Sequence, residues 1–189
     1  DKLARLSDAL PGDAPIAPVD ITDAEALAQV AADLGEVDGV VHMAGVYWPF
    51  GAKAWDAEQA RGMAEVNYVG AMNLVNAVLP GFVARDRGHL VLTGSLSGFR
   101  GLPNAAPYVS SKAAVMALAE SLYADLWRTG VDVQLINPGF IKTRLTDKND
   151  FKMPFIMEPE EAATLFFAHM NTQRFKRSFP TGFSLVFRG

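Results

Sequence analysis

The stretch His89-Leu-Val-Leu-Thr93, followed by Gly94-Ser95, decides the fold once it is set beside Val131-Asp-Val-Gln-Leu-Ile136 and the helical pattern of about 107–128 between them. Each apolar run is short and bounded by glycine, proline or aspartate, as expected of a strand buried on both faces. Two such runs joined by a long helix read as a βαβ unit with parallel strands. Working outward, strands are predicted at 16–19, 39–43 and 183–187 as well. Thr22 with Glu25 forms a capping box that opens a helix running to about Leu34, where Gly35 stops it. A longer helix is predicted over 56–82 with a break near Asn67, and another opens near Pro159 with Glu160 and Glu161 in its first turn. Strand and helix alternate along the chain, which is a doubly wound α/β domain whose ligands gather at the carboxyl ends of the strands.

Composition narrows the classes of function. A chain of 189 residues suits one domain, and with half its residues hydrophobic it can build a sizeable core. Its 17 basic and 21 acidic side chains leave a formal charge of −4, with no basic block for sequence-independent nucleic-acid binding. Without cysteine there is no disulfide framework and no thiol nucleophile, and the scattered His42, His89 and His169 do not form a metal site by spacing. No apolar run is read as approaching the roughly 18 residues that span a bilayer, so a cytoplasmic enzyme without membrane contact is expected. The chain opens inside a helical pattern without an initiator Met, as a piece of a longer protein would.

The chemistry centres on Tyr108-Val-Ser-Ser-Lys112 at the start of the helix over 107–128. Residues four apart share a helical face, so phenol and ammonium can enter one cleft. A tyrosine titrates near pH 10, and a neighbouring cation favours the phenolate and brings it toward the range of general acid–base work. The pair alone arises often by chance. Ser95 directly follows a strand, at the rim where a hydroxyl can donate to a substrate carbonyl or simply turn the chain. Asn67 lies mid-helix, where an asparagine is unfavourable and either serves the site or bends the helix.

Taken together these residues resemble the short-chain dehydrogenase/reductase family in its common form of roughly 250 residues. The matches run in family order: Asp20 in Val-Asp-Ile, Ala44-Gly45, Asn67, Ser95 with Gly98, Tyr108 with Lys112, and Pro138-Gly139 with Thr143. The resemblance implies a Rossmann-like fold, a hydride-carrying NAD or NADP, and an NAD(P)-dependent oxidoreductase interconverting an alcohol and a ketone or aldehyde. In that reading Tyr108 exchanges the substrate proton, and Lys112 lowers the pKa of Tyr108 and holds the nicotinamide ribose. Ser95 orients the substrate oxygen, and Asn67 positions a water that links Lys112 to solvent. Cofactor binding would fall to Asp20 and Ile21 at the adenine, to Ala44 and Gly45 along the cofactor, and to Pro138, Gly139, Ile141 and Thr143 around the carboxamide. Tyr108 and Lys112 also belong to that binding set.

Two departures stand out. The family's Asn-Asn-Ala-Gly is His42-Met43-Ala44-Gly45 here, which keeps the small residues and is read as a local variation. The glycine-rich phosphate loop is missing, with the first strand, first helix and second strand, so the domain over 1–189 reads as incomplete at its N-terminus. About 40–50 further upstream residues are expected on the family's length. The choice between NAD and NADP is unreadable without them.

The segment 144–157 corresponds to the family's substrate lid and carries Leu145, Phe151, Met153, Phe155, Ile156 and Met157. With Tyr47, Trp48, Phe50, Phe99 and Leu102 it would make an apolar pocket for a small-molecule alcohol or carbonyl compound, unless many of these only pack the loops. Excess apolar residues on the two long helices, such as Val69, Met72 and Leu79, suggest a partner helix, and the family resemblance implies that this is a homodimer or homotetramer. Competing readings are a non-catalytic dinucleotide-binding regulator and a sugar-nucleotide epimerase-like enzyme. The intact Asn67, Ser95, Tyr108 and Lys112 set argues against the first, and the short tail after Thr143 against the second.

Overall fold

A computed structural model describes residues 2–12 and 14–188. In chain order the main elements are α1 (Lys2–Ala9), α2 (Ala24–Leu34), β1 (Gly39–His42), α3 (Ala57–Ala64), α4 (Gly70–Ala84), β2 (Gly88–Thr93), α5 (Ala106–Leu126), β3 (Val131–Pro138), α6 (Pro159–Met170), β4 (Lys176–Phe179) and α7 (Thr181–Arg188). The strands form one parallel sheet in the order β1-β2-β3-β4. Register runs straight across it: His42 pairs with Leu92, and Leu92 with Leu135.

The alternation of a buried strand fixes the layers. In β2, Leu90 and Leu92 face the core shared with α4 and α5, where Val75, Phe82, Val115 and Ala119 meet them. Val91, between them, points to the other face and joins Ile136, Ala162 and Phe166 in the core under α6. Leu90, Val91 and Leu92 are all completely buried. Each such side chain contributes about 1.5–3 kcal/mol by leaving water. Helices thus cover both faces, as the doubly wound reading requires, and the continuous hydrophobicity of β2 is the reason.

Four expectations need correction. The run 16–19 is not a strand: it is extended and largely exposed, and Pro15 and Pro18 remove the amide donors that a ladder needs. The last strand is β4, and 183–187 lies inside α7. Lys176 and Arg177 disguise β4 as loop, while the helical period of Phe183 and Phe187 is invisible in so short an apolar run. The cap of α2 is Asp23, whose Oδ1 accepts from the Ala26 N–H at 2.9 Å, whereas Thr22 turns back to Asp20. Gly35 ends α2 at φ 67°, the left-handed conformation for which glycine is suited. Finally, the helical run Ala57–Ala84 is long and apolar enough to cross a membrane by length and composition. Its Ala71, Val75, Val78 and Phe82 are applied to the sheet instead.

Candidate active site

Between α3 and α4 the helix widens into a π turn over Glu65–Val69, centred on Asn67. Such turns redirect one side chain out of the regular ladder. Asn67 is completely buried. Its Oδ1 accepts from the Val46 N–H at 2.8 Å, and its Nδ2 donates to Val46 O at 3.0 Å and to Ser111 Oγ at 2.9 Å. The Ser111 hydroxyl in turn donates to Tyr108 O at 2.8 Å. One asparagine therefore ties the loop after β1 to the first turn of α5. The predicted break is present at Asn67, whose side chain bonds to the loop after β1 and to α5 and not within its own helix.

Tyr108 and Lys112 stand one turn apart on α5 and enter the same cleft. Lys112 is 4% exposed, donates to Thr93 O at 3.1 Å, and has its Nζ 6.0 Å from the centroid of the Tyr108 ring. Burial disfavours the ammonium and lowers its pKa to about 8. The Tyr108 hydroxyl is hydrogen-bonded to Ser95, and the edge of Tyr47 packs against its ring at 4.9 Å. Ser95 Oγ also lies 2.8 Å from Ser97 Oγ and accepts from the Ser97 N–H. Here the sequence expectation reverses. Burial raises Tyr108 to about 12, with the Ser95 hydrogen bond pulling the other way and Tyr47 adding to the rise. The phenol is held protonated.

A cleft of about 940 Å³ opens at the carboxyl ends of the strands. Gly45, Ser95, Tyr108, Lys112, Pro138, Gly139, Ile141 and Thr143 all line it, and Asn67 lies behind Gly45. Thr146 secures this wall, its Oγ1 standing 2.7 Å from Ile141 O and accepting from the Thr143 N–H at 2.9 Å. Asp20, Ile21 and Ala44 are not among its lining residues. Asp20 is exposed, and its Oδ1 accepts from the Thr22 N–H and hydroxyl, which hold its carboxyl below the usual carboxylate range. Ile21 rests on Gly70, where an added Cβ would lie 2.7 Å from Ile21 Cγ2, and Asn73 Nδ2 donates to Ile21 O at 3.0 Å. Sequence reasoning missed Asn73. Its signal was the same as that of Asn67, a polar amide on an apolar helix face.

The predicted lid divides. Leu145 and Phe151 line the cleft, as do Tyr47, Phe50 and Leu102. Met157 is buried in the core under α6, Phe99 packs into the core of α4 and α5, and Phe155 and Ile156 are exposed. Met153 accepts from Asn149 Nδ2, and Trp48 lies beneath the Lys148 ammonium. Phe140, Phe183 and Phe187 line the cleft without having been anticipated. His42 is 1% exposed and its ring nitrogens have no hydrogen-bond partner among the described residues. Burial and the Lys112 charge lower its pKa to about 4, so it is neutral at pH 7. Among the described residues no group of three His, Asp or Glu side chains could hold a metal ion.

Known proteins are similar to this chain in sequence and in fold. The short chain dehydrogenase family model matches residues 1–153. An uncharacterized oxidoreductase of Myxococcus xanthus is 45% identical over 151 residues, which are 78% of this chain and 60% of the relative. A 1-deoxy-11-beta-hydroxypentalenate dehydrogenase of Streptomyces exfoliatus is 40% identical over 131 residues, 66% of this chain and 48% of the relative. The chain thus spans roughly half to two thirds of the length of such relatives. A short-chain dehydrogenase structure from Streptomyces avermitilis superposes with a TM-score of 0.84 at 24% identity, over 98% of this chain and 78% of the other. A short chain dehydrogenase from Burkholderia cenocepacia in complex with NADP gives a TM-score of 0.82 at 25% identity, over 91% and 73%. A family match over most of the chain, with Ser95, Tyr108 and Lys112 gathered at one cleft of a parallel sheet, makes this protein a member of the short-chain dehydrogenase family.

Proposed function

We propose that the protein transfers hydride between NAD or NADP and the carbon of an apolar alcohol–carbonyl pair, with Tyr108 exchanging the substrate proton. The observation that carries this reading is the hydrogen-bonded Ser95 and Tyr108 pair beside the buried Lys112 in one cleft. The residues fit the nicotinamide ribose. Gly45 keeps side-chain atoms out of the space between Asn67 and Lys112, since a Cβ there would lie 3.4 Å from Asn67 Oδ1 and 3.7 Å from Lys112 Nζ. Thr93 O occupies one of the Lys112 N–H groups, and the others are available to ribose hydroxyls.

When bound, the reduced nicotinamide supplies the hydride. Ser95 donates to the substrate oxygen and polarises the carbonyl, and Tyr108 delivers its proton to that oxygen as the alkoxide forms. With its pKa raised to about 12, the phenol carries the proton that this reductive direction needs. Lys112 holds the ribose and keeps positive charge beside the phenolate left behind. Asn67 fixes the Gly45–Val46 backbone and supports a proton path from Lys112 toward solvent. Ala44, Pro138, Gly139, Ile141 and Thr143 form the backbone channel of the cofactor, and Asp20 with Ile21 its adenine end. The apolar Tyr47, Phe50, Leu102 and Leu145 favour a hydrophobic substrate. Assembly into a homodimer or homotetramer is proposed through α4 and α5 and their ends, where Val83 of α4, Val69 just before α4 and Trp127 just after α5 are exposed.

Replacing Tyr108 by Phe tests the reading. Turnover of an aliphatic and aromatic ketone panel with NADH and NADPH is expected to fall about 10²–10⁴-fold. Cofactor binding, followed by nicotinamide fluorescence, is expected to persist. A Tyr108→Phe protein with turnover within a few-fold of the parent overturns it.

A further inference from the structure

Strand β3 leaves the sheet through Gly139-Phe140, and β4 leaves beside it into α7. The two exits are held together closely. The Gly139 N–H donates to Phe179 O at 2.8 Å, and a Cβ on Gly139 would lie 3.2 Å from Pro180 Cδ. The buried Ser184 secures α7 from within, its N–H donating to Pro180 O at 2.9 Å and its hydroxyl to Thr181 O at 2.7 Å. The helix also packs against the turn Leu96–Phe99 that follows Ser95.

With α7 fixed in this way, its two faces differ. Leu185 and Val186 are exposed, whereas Phe183 and Phe187, four residues apart, both line the cleft with ring centroids 5.1 Å apart. Phe183 meets Phe140 at 6.2 Å and Phe155 at 5.3 Å, and Phe140 meets Phe151 at 5.9 Å. Phe155 sits at φ 55°, an uncommon conformation for a bulky residue, and its largely exposed ring leans on that of Phe183. The lid segment thus docks on α7 through an aromatic contact.

We infer that Phe183 and Phe187 of α7 determine specificity, selecting alcohols or carbonyl compounds with a bulky hydrocarbon or aromatic body over small polar ones. The inference rests on the oxidoreductase reading and adds to it the residues and the substrate shape. Rings presented along one helical face offer broad contact to a flat or extended apolar body and no partner to a polar one. Where a substrate is too short to reach them, their truncation removes nothing that favours it over a longer one.

The experiment compares kcat/KM for a small polar ketone with that for a ketone bearing a large apolar body. Phe187→Ala and the milder Phe183→Leu are expected to lower the preference for the large ketone at least about tenfold. Leu185→Ala, on the outer face of α7, is expected to leave the preference unchanged. A preference that stays within about twofold of the parent in both Phe variants overturns the inference, and so does an equal loss on the two ketones. Binding of non-reducible alkyl carboxamides of rising length gives a readout independent of turnover. The parent's affinity should rise with chain length, and the dependence should flatten in Phe187→Ala. Length-dependent amide binding without turnover of any ketone would defeat the oxidoreductase reading alone. Turnover with a flat length dependence would defeat the role of α7 alone.

Discussion

Two buried groups, Lys112 and His42, carry charge questions that single substitutions can answer, and Gly45 carries a steric one. Lys112 has no carboxylate partner in its hydrogen bonds, and burial brings it to about 8. If the ammonium is the form that works, the reductase kcat/KM falls as pH rises through about 8, where Lys112 loses its proton. Lys112→Arg keeps its charge and should move that alkaline limb upward, even if the rate drops; an unmoved limb would assign the titration elsewhere. Gly45→Ala makes only ordinary contacts, 3.4 Å to Asn67 and 3.7 Å to Lys112, so the fold should survive. Turnover should still fall about tenfold or more, because the methyl enters the space proposed for the cofactor and the proton path. His42 titrates near 4 in the folded state, against 6.5 for an unperturbed histidine. The unfolded chain therefore binds the extra proton first, and stability is complete above about 6.5 and is lost as pH falls toward 4. The loss is about 3 kcal/mol, measurable by urea melts between pH 7 and pH 4, and His42→Asn should remove most of that slope.

At the scale of elements, the loop bearing Asp20 and Ile21 is held by α4 and not by a strand. Asn73 is 9% exposed, and its Nδ2 donates to Ile21 O at 3.0 Å and to Thr22 O at 3.3 Å, at the entry to α2. Asn73→Ala should cost about 1–3 kcal/mol of stability, read from urea melts, by leaving these carbonyls without their donor. It should weaken cofactor binding more than it slows turnover of bound substrate, if the loop contacts adenine as proposed. The elements that could be read in the sequence were those whose pattern is set locally. β2 carries the short apolar run Leu90–Leu92 between Gly88 and Gly94, β3 carries Val131, Val133, Leu135 and Ile136 after Gly130, and α5 and α6 open at Pro107 and Pro159. β4 escaped because it opens with two charged residues at a sheet edge, where charge is tolerated: Lys176 pairs with Glu120 of α5, and Arg177 donates to Leu165 O of α6. The site was readable at Ser95, Tyr108 and Lys112 because a strand end and one helical turn fix their placement. Phe140, Phe183 and Phe187 reach the cleft only through the pairing of β3 with β4, which no local pattern announces.

At the scale of the whole molecule, the sheet has two unlike edges. β4 ends it on one side with Lys176, which pairs with Glu120 at 2.7 Å, and with Arg177, charges that discourage a further strand. β1 ends it on the other side. Its partner among the described residues is β2 alone, so its outer N–H and C=O groups face away from the sheet. Val41, 40% exposed, and Met43 just beyond the strand, 67% exposed, lie on the face of β1 opposite to that of the buried His42. Exposed apolar side chains beside an open strand edge are a template for another strand, and a net charge of −4 opposes that association only weakly. A polypeptide of residues 1–189 alone should therefore associate through β1 as its concentration rises, apart from the assembly proposed through α4 and α5. Static light scattering across a dilution series separates the two. Val41→Lys should lower the concentration-dependent part, because it places a charge at the edge without touching α4 or α5. A dilution series identical to the parent's would mean that β1 is not where the molecules meet. Association would then have to be sought at Val69, Val83 and Trp127, where a charged substitution should dissociate the assembly into monomers.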